Sequence, residues 1–326
     1  MKAIVFTKYG SPDILEFKEV AKPAPEEDEV LVKVHAASVN YVDWQVLNGK
    51  SLLLRVMNGL LKPKKQGLGD DIAGVVEEVG KNADIFHPGD EVYGISDSVA
   101  FAEYACVPEQ SFALKPASMT FKQAAAVPEA GITALQGLRD RGKIQAGQQV
   151  LIIGASGGVG TFAVQIAKAF GAEVTGVCSS GKLELVRSIG ADHVINYTKE
   201  DFTKNGQHYD LIFAVGGNHS IFDYHRALNP EGIFICAGGS QSQYFQGLLL
   251  GPIISIMGRK KMGSMFANPK RADYVFLTDL IEAGKVVPVI DRIYPLSEVP
   301  EALRYYGEGN AQGKLVITVV DSSKSE

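Results

Sequence analysis

The chain has 326 residues, a formal net charge of -5, 46% hydrophobic residues and 21% charged residues. That length suits two domains that each bury a core, and the composition excludes extensive disorder. The slightly acidic balance argues against nucleic acid as a partner.

The opening MKAIVFTKYG lacks the apolar core and cleavage site of a signal peptide. AIVFT, DILEFKEV and EVLVKVHAASV then read as β-strands, with the polar loop AKPAPEEDE before the third. Further strand-like pieces follow at IAGVVEEVG, DEVYGI and FAEYACVP, separated by HPGD and Gly94, as in a small antiparallel barrel or sandwich. At Phe121 the period changes. FKQAAAVPEAGITALQGLRDRG has helical spacing and ends at Gly142. Strands and helices alternate after it: VLIIGA, a helix over 159–170, EVTGVC, a helix over 182–189, HVINY, DLIFAV, a helix over 221–228, GIFICAG and MGSMF. Apolar strands in that rhythm predict an α/β doubly wound parallel sheet. The stretch FQGLLLGPIISIMG is cut by Gly251 and Pro252, so it is too short to span a bilayer. The tail holds helices in ADYVFLTDLIEAGK and SEVPEALRYYGEG and a last strand, KLVITVV. The expected division is a discontinuous β-rich domain over 1–123 and 267–326, and a doubly wound domain over 124–266.

The three cysteines, Cys106, Cys178 and Cys236, are far apart and odd in number, as for buried thiols in a reducing compartment. A cytoplasmic location is the expectation. The six histidines are scattered, and none joins a Ser-His-Asp or Cys-His pattern.

VLIIGASGGVGTFAVQIAKAFGAEV, starting at Val150, places Gly154, Gly157, Gly158 and Gly160 between a strand and a helix. Glycines there permit positive φ and let the backbone approach a pyrophosphate, whose charge then faces the helix amides. The spacing is looser than the dinucleotide fingerprint, and such a turn can also serve only to pack strand on helix. An NAD site carries Asp or Glu ~20 residues further on, at the end of the second strand. This chain has CSSGK there, with Ser179, Ser180 and Lys182, and no carboxylate before Glu184. Two hydroxyls and a cation suit a 2′-phosphate, so NADP(H) is the expected cofactor. A solvated serine turn is the plainer alternative.

These motifs, together with GVVEEVGKNADIFHPGDEVYG, GADHVINY and GKLVITVV, make the chain similar to the medium-chain dehydrogenase/reductase superfamily over nearly its whole length. Within it the chain most resembles the zinc-independent quinone oxidoreductase branch, the zeta-crystallin-like and chloroplast-envelope quinone reductase-like proteins. The resemblance implies a GroES-like catalytic domain and a Rossmann domain with the active site in the cleft between them. It further implies NADPH-dependent reduction of quinones or α,β-unsaturated carbonyls, commonly by homodimers. The same resemblance implies that FQGLLLGPIISIMG lines a substrate cleft or an oligomer surface. By the same likeness the cofactor contacts fall at Thr133, Ser156, Gly157, Gly158, Val159, Ser179, Ser180, Lys182, Tyr197, Gly216 and Gly239. Zinc enzymes of the superfamily hold a catalytic metal with a cysteine, a Gly-His-Glu histidine and a further ligand. Asn40 stands at the first of these positions, Asp70 and Asp71 replace the His-Glu pair, and the four-cysteine lobe is missing. An amide is a poor zinc ligand, so no metal is expected. Asp70, Asp71 and Glu129 leave two readings: a carboxylate cluster for a hard cation, or structural carboxylates accepting backbone hydrogen bonds with Glu129 solvated. The second is the commoner arrangement.

Hydride transfer to a conjugated carbonyl needs a positioned acceptor carbon and a donor for the oxygen. Asn40 and Tyr41 are the expected substrate contacts, with Asp43 and Trp44 shaping the pocket. No proton donor stands out, and solvent can serve. Two other functions fit the same residues: a zinc-independent alcohol dehydrogenase, and a non-catalytic NADPH-binding sensor or scaffold.

Overall fold

The computed structural model describes residues 1–96 and 99–320. The chain folds as two compact units: Met1–Glu129 with Pro269–Val275 and the tail from Val289, and Ala130–Asn268 with Phe276–Pro288. Residues 276–288, grouped with the tail in the sequence reading, lie in the second unit.

In chain order, β1 (Lys2–Val5), β2 (Glu16–Glu19) and β3 (Glu29–Val39) lead to α1 (Tyr41–Asn48) and α2 (Leu52–Asn58). Next come β4 (Asp71–Val79), β5 (Glu91–Ile95), β6 (Tyr104–Pro108), β7 (Phe112–Leu114), α3 (Phe121–Ala125) and α4 (Pro128–Leu135). The second set runs β8 (Gln149–Ile153), α5 (Gly158–Ala169), β9 (Glu173–Cys178), α6 (Leu183–Ser188), β10 (His193–Asn196), β11 (Tyr209–Ala214), α7 (Ile221–Ala227) and β12 (Leu228–Cys236). It continues through α8 (Gln241–Leu249), α9 (Gly251–Met257), β13 (Lys261–Ser264) and α10 (Arg271–Glu282). The chain closes with β14 (Ile290–Pro295), α11 (Val299–Gly307) and β15 (Lys314–Thr318).

In the first unit the sheet order is β14-β15-β3-β4-β5-β7, with β6 also pairing β3. The tail thus completes the N-terminal sheet, as its apolar strand KLVITVV predicts: β15 lies antiparallel to β3, with Leu315 opposite Val39. β3 is eleven residues long and pairs β4 along most of its length, setting Ser38 opposite Asp71. Val32, Val34, Ile72, Val92, Leu315 and Ile317 build the core between these strands and the helices α1 and α11.

The second unit is a parallel sheet in the order β10-β9-β8-β11-β12-β13. Counted within the unit this is 3-2-1-4-5-6, the doubly wound order whose switch point lies between β8 and β11. Its strands are apolar on both faces because helices cover both, so Val150, Leu151 and Ile152 are completely buried. The single helix expected over 121–142 is broken. Thr120 caps α3, Pro128 opens α4, and Gln136–Arg141 form a π-helical turn. Proline lacks the amide that would continue α3, and its fixed φ suits a first turn. FQGLLLGPIISIMG becomes two helices, α8 and α9, parted at Leu250.

Candidate active site

At the switch point the second unit assembles most of the residues singled out for the cofactor. Gly154 turns the chain with φ +84°, and a Cβ there would stand 3.1 Å from the Gly216 nitrogen beyond β11. A Cβ on Gly160 would overlap the Gly154 carbonyl oxygen. Only glycine fits both places. Gly157 donates to the Gly154 carbonyl at 3.0 Å and stands at the N-cap of α5 without a side-chain cap, as an anion-binding helix start requires. Ser156 is buried; Gly157, Gly158 and Val159 are half-buried. Gly239 has φ +95°, and a Cβ there would lie 2.8 Å from the Gly216 and Gly217 carbonyls. Gly216 and Gly239 are therefore neighbours. Thr133 is buried on α4.

The sequence reading missed Gln243, which joins these loops. Its Nε2 donates to the carbonyls of Gly216 at 3.1 Å and Gly238 at 3.0 Å, and its Oε1 accepts from the Tyr224 hydroxyl. Gln243 is 2% exposed. Its local signal is weak, since glutamine on an amphipathic helix ordinarily faces solvent.

At the ends of β9 and β10 the structure gathers Ser179, Ser180, Lys182 and Tyr197. The Tyr197 amide donates to the Cys178 carbonyl at 3.1 Å, and Asn196 donates to the Ser180 hydroxyl at 2.9 Å. Burial pushes the Cys178 thiol up, while Lys182 and Arg187 pull it down, so both cations act on this strand end. The first carboxylate beyond it, Glu184, lies 3.5 Å from Arg187.

The first unit holds a buried polar cluster where three neighbouring strands end. β3 runs out into Asn40, β4 starts at Asp71 and β15 starts at Lys314. The Lys314 ammonium, 2% exposed, donates to Asn40 Oδ1 and, at 3.1 Å, to Asp71 Oδ2. Asp71 also accepts from the Ser38 hydroxyl at 3.0 Å and the Glu129 amide at 2.9 Å. Asp43 accepts from the Asn40 backbone N–H at 2.7 Å. Burial pushes the Asp43 carboxyl well up, Asp70 adds to the rise, and the Asn40 backbone N–H draws it back. Burial also pushes Glu129 well up, followed by repulsion from Asp71 and Asp70. Glu129 is half-buried rather than solvated as expected, because the Asp71 bond to its amide draws the start of α4 onto β4. Tyr306, unremarked in the sequence reading, has its hydroxyl pushed up by burial and then by Glu129, Tyr41 and Asp43, so these four share one neighbourhood. Tyr41 is 45% exposed, whereas Asn40 is 5% exposed with a buried Nδ2 that has no partner.

This chain matches the alcohol dehydrogenase GroES-like domain family over residues 26–135 and the zinc-binding dehydrogenase family over residues 189–317. It is 34% identical to the mouse (Mus musculus) mitochondrial NAD(P)H oxidoreductase RTN4IP1, across 98% of this chain and 89% of that protein. It is also 34% identical to a chloroplastic NADPH-dependent alkenal/one oxidoreductase of Arabidopsis thaliana, across 97% of this chain and 79% of the other. The quinone oxidoreductase of Coxiella burnetii superposes with a TM-score of 0.87 at 30% identity, covering 98% and 99% of the two chains. The chain belongs to the medium-chain dehydrogenase/reductase superfamily, in its quinone oxidoreductase branch. It is an oxidoreductase that uses a nicotinamide cofactor.

Zinc, named in one of the matched families, does not fit the residues of this medium-chain reductase. Asp71 already takes three donors, and the Lys314 ammonium holds the oxygens of Asn40 and Asp71 that would face a cation. Among the described residues no three His, Cys, Asp or Glu side chains are arranged to hold a metal ion. Asp71 instead takes the structural part, accepting a backbone hydrogen bond. A dinucleotide does fit: a turn at positive φ on Gly154, a place at Gly160 closed to any Cβ, an uncapped helix start and an acid-free strand end.

Lys314 was also missed as a site residue. The only local sign is a lysine, directly after Gly313, at the head of an otherwise apolar strand.

Proposed function

We propose that this medium-chain reductase uses NADPH to reduce quinones and α,β-unsaturated carbonyls, and that it works without zinc. The observation that carries the reading is the buried Asn40 amide, an unpartnered donor beside a lysine where zinc enzymes keep their metal. The serines and Lys182 at the end of β9 support a 2′-phosphate, and no carboxylate stands there to repel it. Gly154, Gly157, Gly158 and Gly160 would take the pyrophosphate, Gly216 and Gly239 would border the ribose, and Ser179, Ser180, Lys182 and Tyr197 the adenosine phosphate.

When bound, NADPH supplies a hydride. The residues of the first unit then need only hold the acceptor and meet the charge that develops on its oxygen. Asn40 Nδ2 is the donor for that oxygen, Tyr41 contacts the substrate, and Asp43 holds the start of α1 through its bond to the Asn40 backbone N–H. A donor of this kind is weaker than a Lewis acid, which contributes several kcal/mol of charge stabilisation. Acceptors that spread charge by conjugation are therefore favoured. The test is a matched pair, an enone and its saturated ketone, at one NADPH concentration with a chelator present. The enone should react at least ~100-fold faster, about 2.7 kcal/mol in barrier. Equal rates would replace this reading with an alcohol dehydrogenase. NADPH binding without turnover of any enone or quinone would replace it with a sensor or scaffold.

The proposal includes a homodimer and a reducing compartment, the cytoplasm. The described residues hold no helix long and apolar enough to cross a membrane.

A further inference from the structure

We propose that Lys314 is a positioning residue that fixes the Asn40 amide so that its NH2 group, and not its oxygen, meets the substrate. The inference rests on the reductase reading above. A lysine ammonium has three donors and no acceptor, so the group it touches on Asn40 must be the oxygen. The amide is planar, and engaging Oδ1 turns Nδ2 away from Lys314. Nδ2 is buried without a partner. In a folded core such a donor is rare, and it marks a place where another oxygen is due.

Lys314 is itself held. Asp71 accepts from it, and Ser38 and Glu129 hold Asp71 from two further elements. The register of β15 against β3 sets Leu315 opposite Val39, which brings the preceding Lys314 beside the Asn40 that follows β3. Donation to the amide oxygen draws electron density toward it and makes the Nδ2 hydrogens stronger donors, so the two bonds reinforce each other. The step that uses this arrangement is balanced. The substrate's β-carbon accepts the hydride from the reduced nicotinamide, the carbon–carbon π pair moves toward the carbonyl, and the oxygen becomes an enolate. Asn40 donates a hydrogen bond to that oxygen and keeps its protons. Solvent later protonates the α-carbon, leaving the saturated ketone and oxidised cofactor.

The experiment is a double-mutant cycle on the full chain. Lys314→Met is combined with Asp71→Asn, so that no lone carboxylate is left buried, and the pair is introduced with Asn40 and with Asn40→Ala. Beside Asn40 the pair should lower kcat for an enone by about tenfold, while in the Asn40→Ala background it should lower it less than about twofold. Affinity for NADPH, read by fluorescence, should stay within about twofold throughout. A second reading is the infrared carbonyl stretch of a bound, isotope-labelled saturated ketone. It should shift less from its solution value when Lys314 is lost. Lys314→Gln, again with Asp71→Asn, keeps a donor for Asn40 Oδ1 and should hold kcat within about threefold of wild type, which tests the idea even if the methionine pair does not fold. Equal losses in both backgrounds, no loss at all, or a glutamine variant as impaired as the methionine one would overturn the assignment while leaving the reductase reading intact. A wild-type protein that turns over no enone or quinone overturns that reading, and this inference with it.

Discussion

Lys182 and Glu129 carry the two predictions that single residues support. Lys182 acts on the end of β9, beside Ser179 and Ser180. A charge-assisted contact to phosphate contributes ~1.5–3 kcal/mol. Lys182→Ala should therefore weaken NADPH at least ~10-fold and NADH hardly at all, measured by fluorescence titration. Equal losses for both cofactors would remove the 2′-phosphate from the argument. For Glu129 the sign follows from its raised pKa, caused first by burial. The folded state holds that proton more tightly than the unfolded chain. Stability from this group is thus fully present below the unfolded value of ~4.3 and falls as pH rises toward the folded one. Glu129→Gln removes that loss. The variant should gain on wild type between pH 4 and pH 8 in urea midpoint, and a constant difference would contradict the assignment.

At the scale of elements, the glycine turn shows how backbone decides sequence. Gly160 faces the Gly154 carbonyl so closely that no Cβ fits, whereas a Cβ on Gly157 would meet only that oxygen, at an ordinary 3.5 Å. Gly160→Ala should cost ~1–3 kcal/mol by overpacking and lower the melting temperature. Gly157→Ala should leave the melting temperature of the cofactor-free protein nearly unchanged. If both variants melt alike, the close approach of α5 to the end of β8 is not the constraint. The strand–turn–helix order was readable because each of its signals is local: an apolar run, glycines, then small residues at helical spacing. The break at Pro128 was less readable. In FKQAAAVPEAGITAL the helical period runs through the proline, and only the capping at Thr120 and the first-turn place of Pro128 separate two helices.

For the whole molecule, the exposed faces of α8 and α9 argue for self-association. Leu249, Ile256 and Met257 are 65%, 86% and 83% exposed, and apolar surface grouped in this way marks a contact site. Light scattering should give twice the chain mass, and Ile256→Lys should shift the protein toward the single chain. A monomeric wild type would leave that face without a second copy. The sequence by itself determined the doubly wound sheet, the glycine turn between β8 and α5 and the acid-free end of β9. All of these reside in residue types at short spacing, where periodicity and sterics act directly. Only the tertiary structure decided what Asn40 and Asp71 meet. Lys314 lies 274 positions from Asn40 and 243 from Asp71, and no local pattern links them. The pairing of β15 and β4 on either side of β3 brings the three together, and burial then forces the ammonium, carboxylate and amide to satisfy one another.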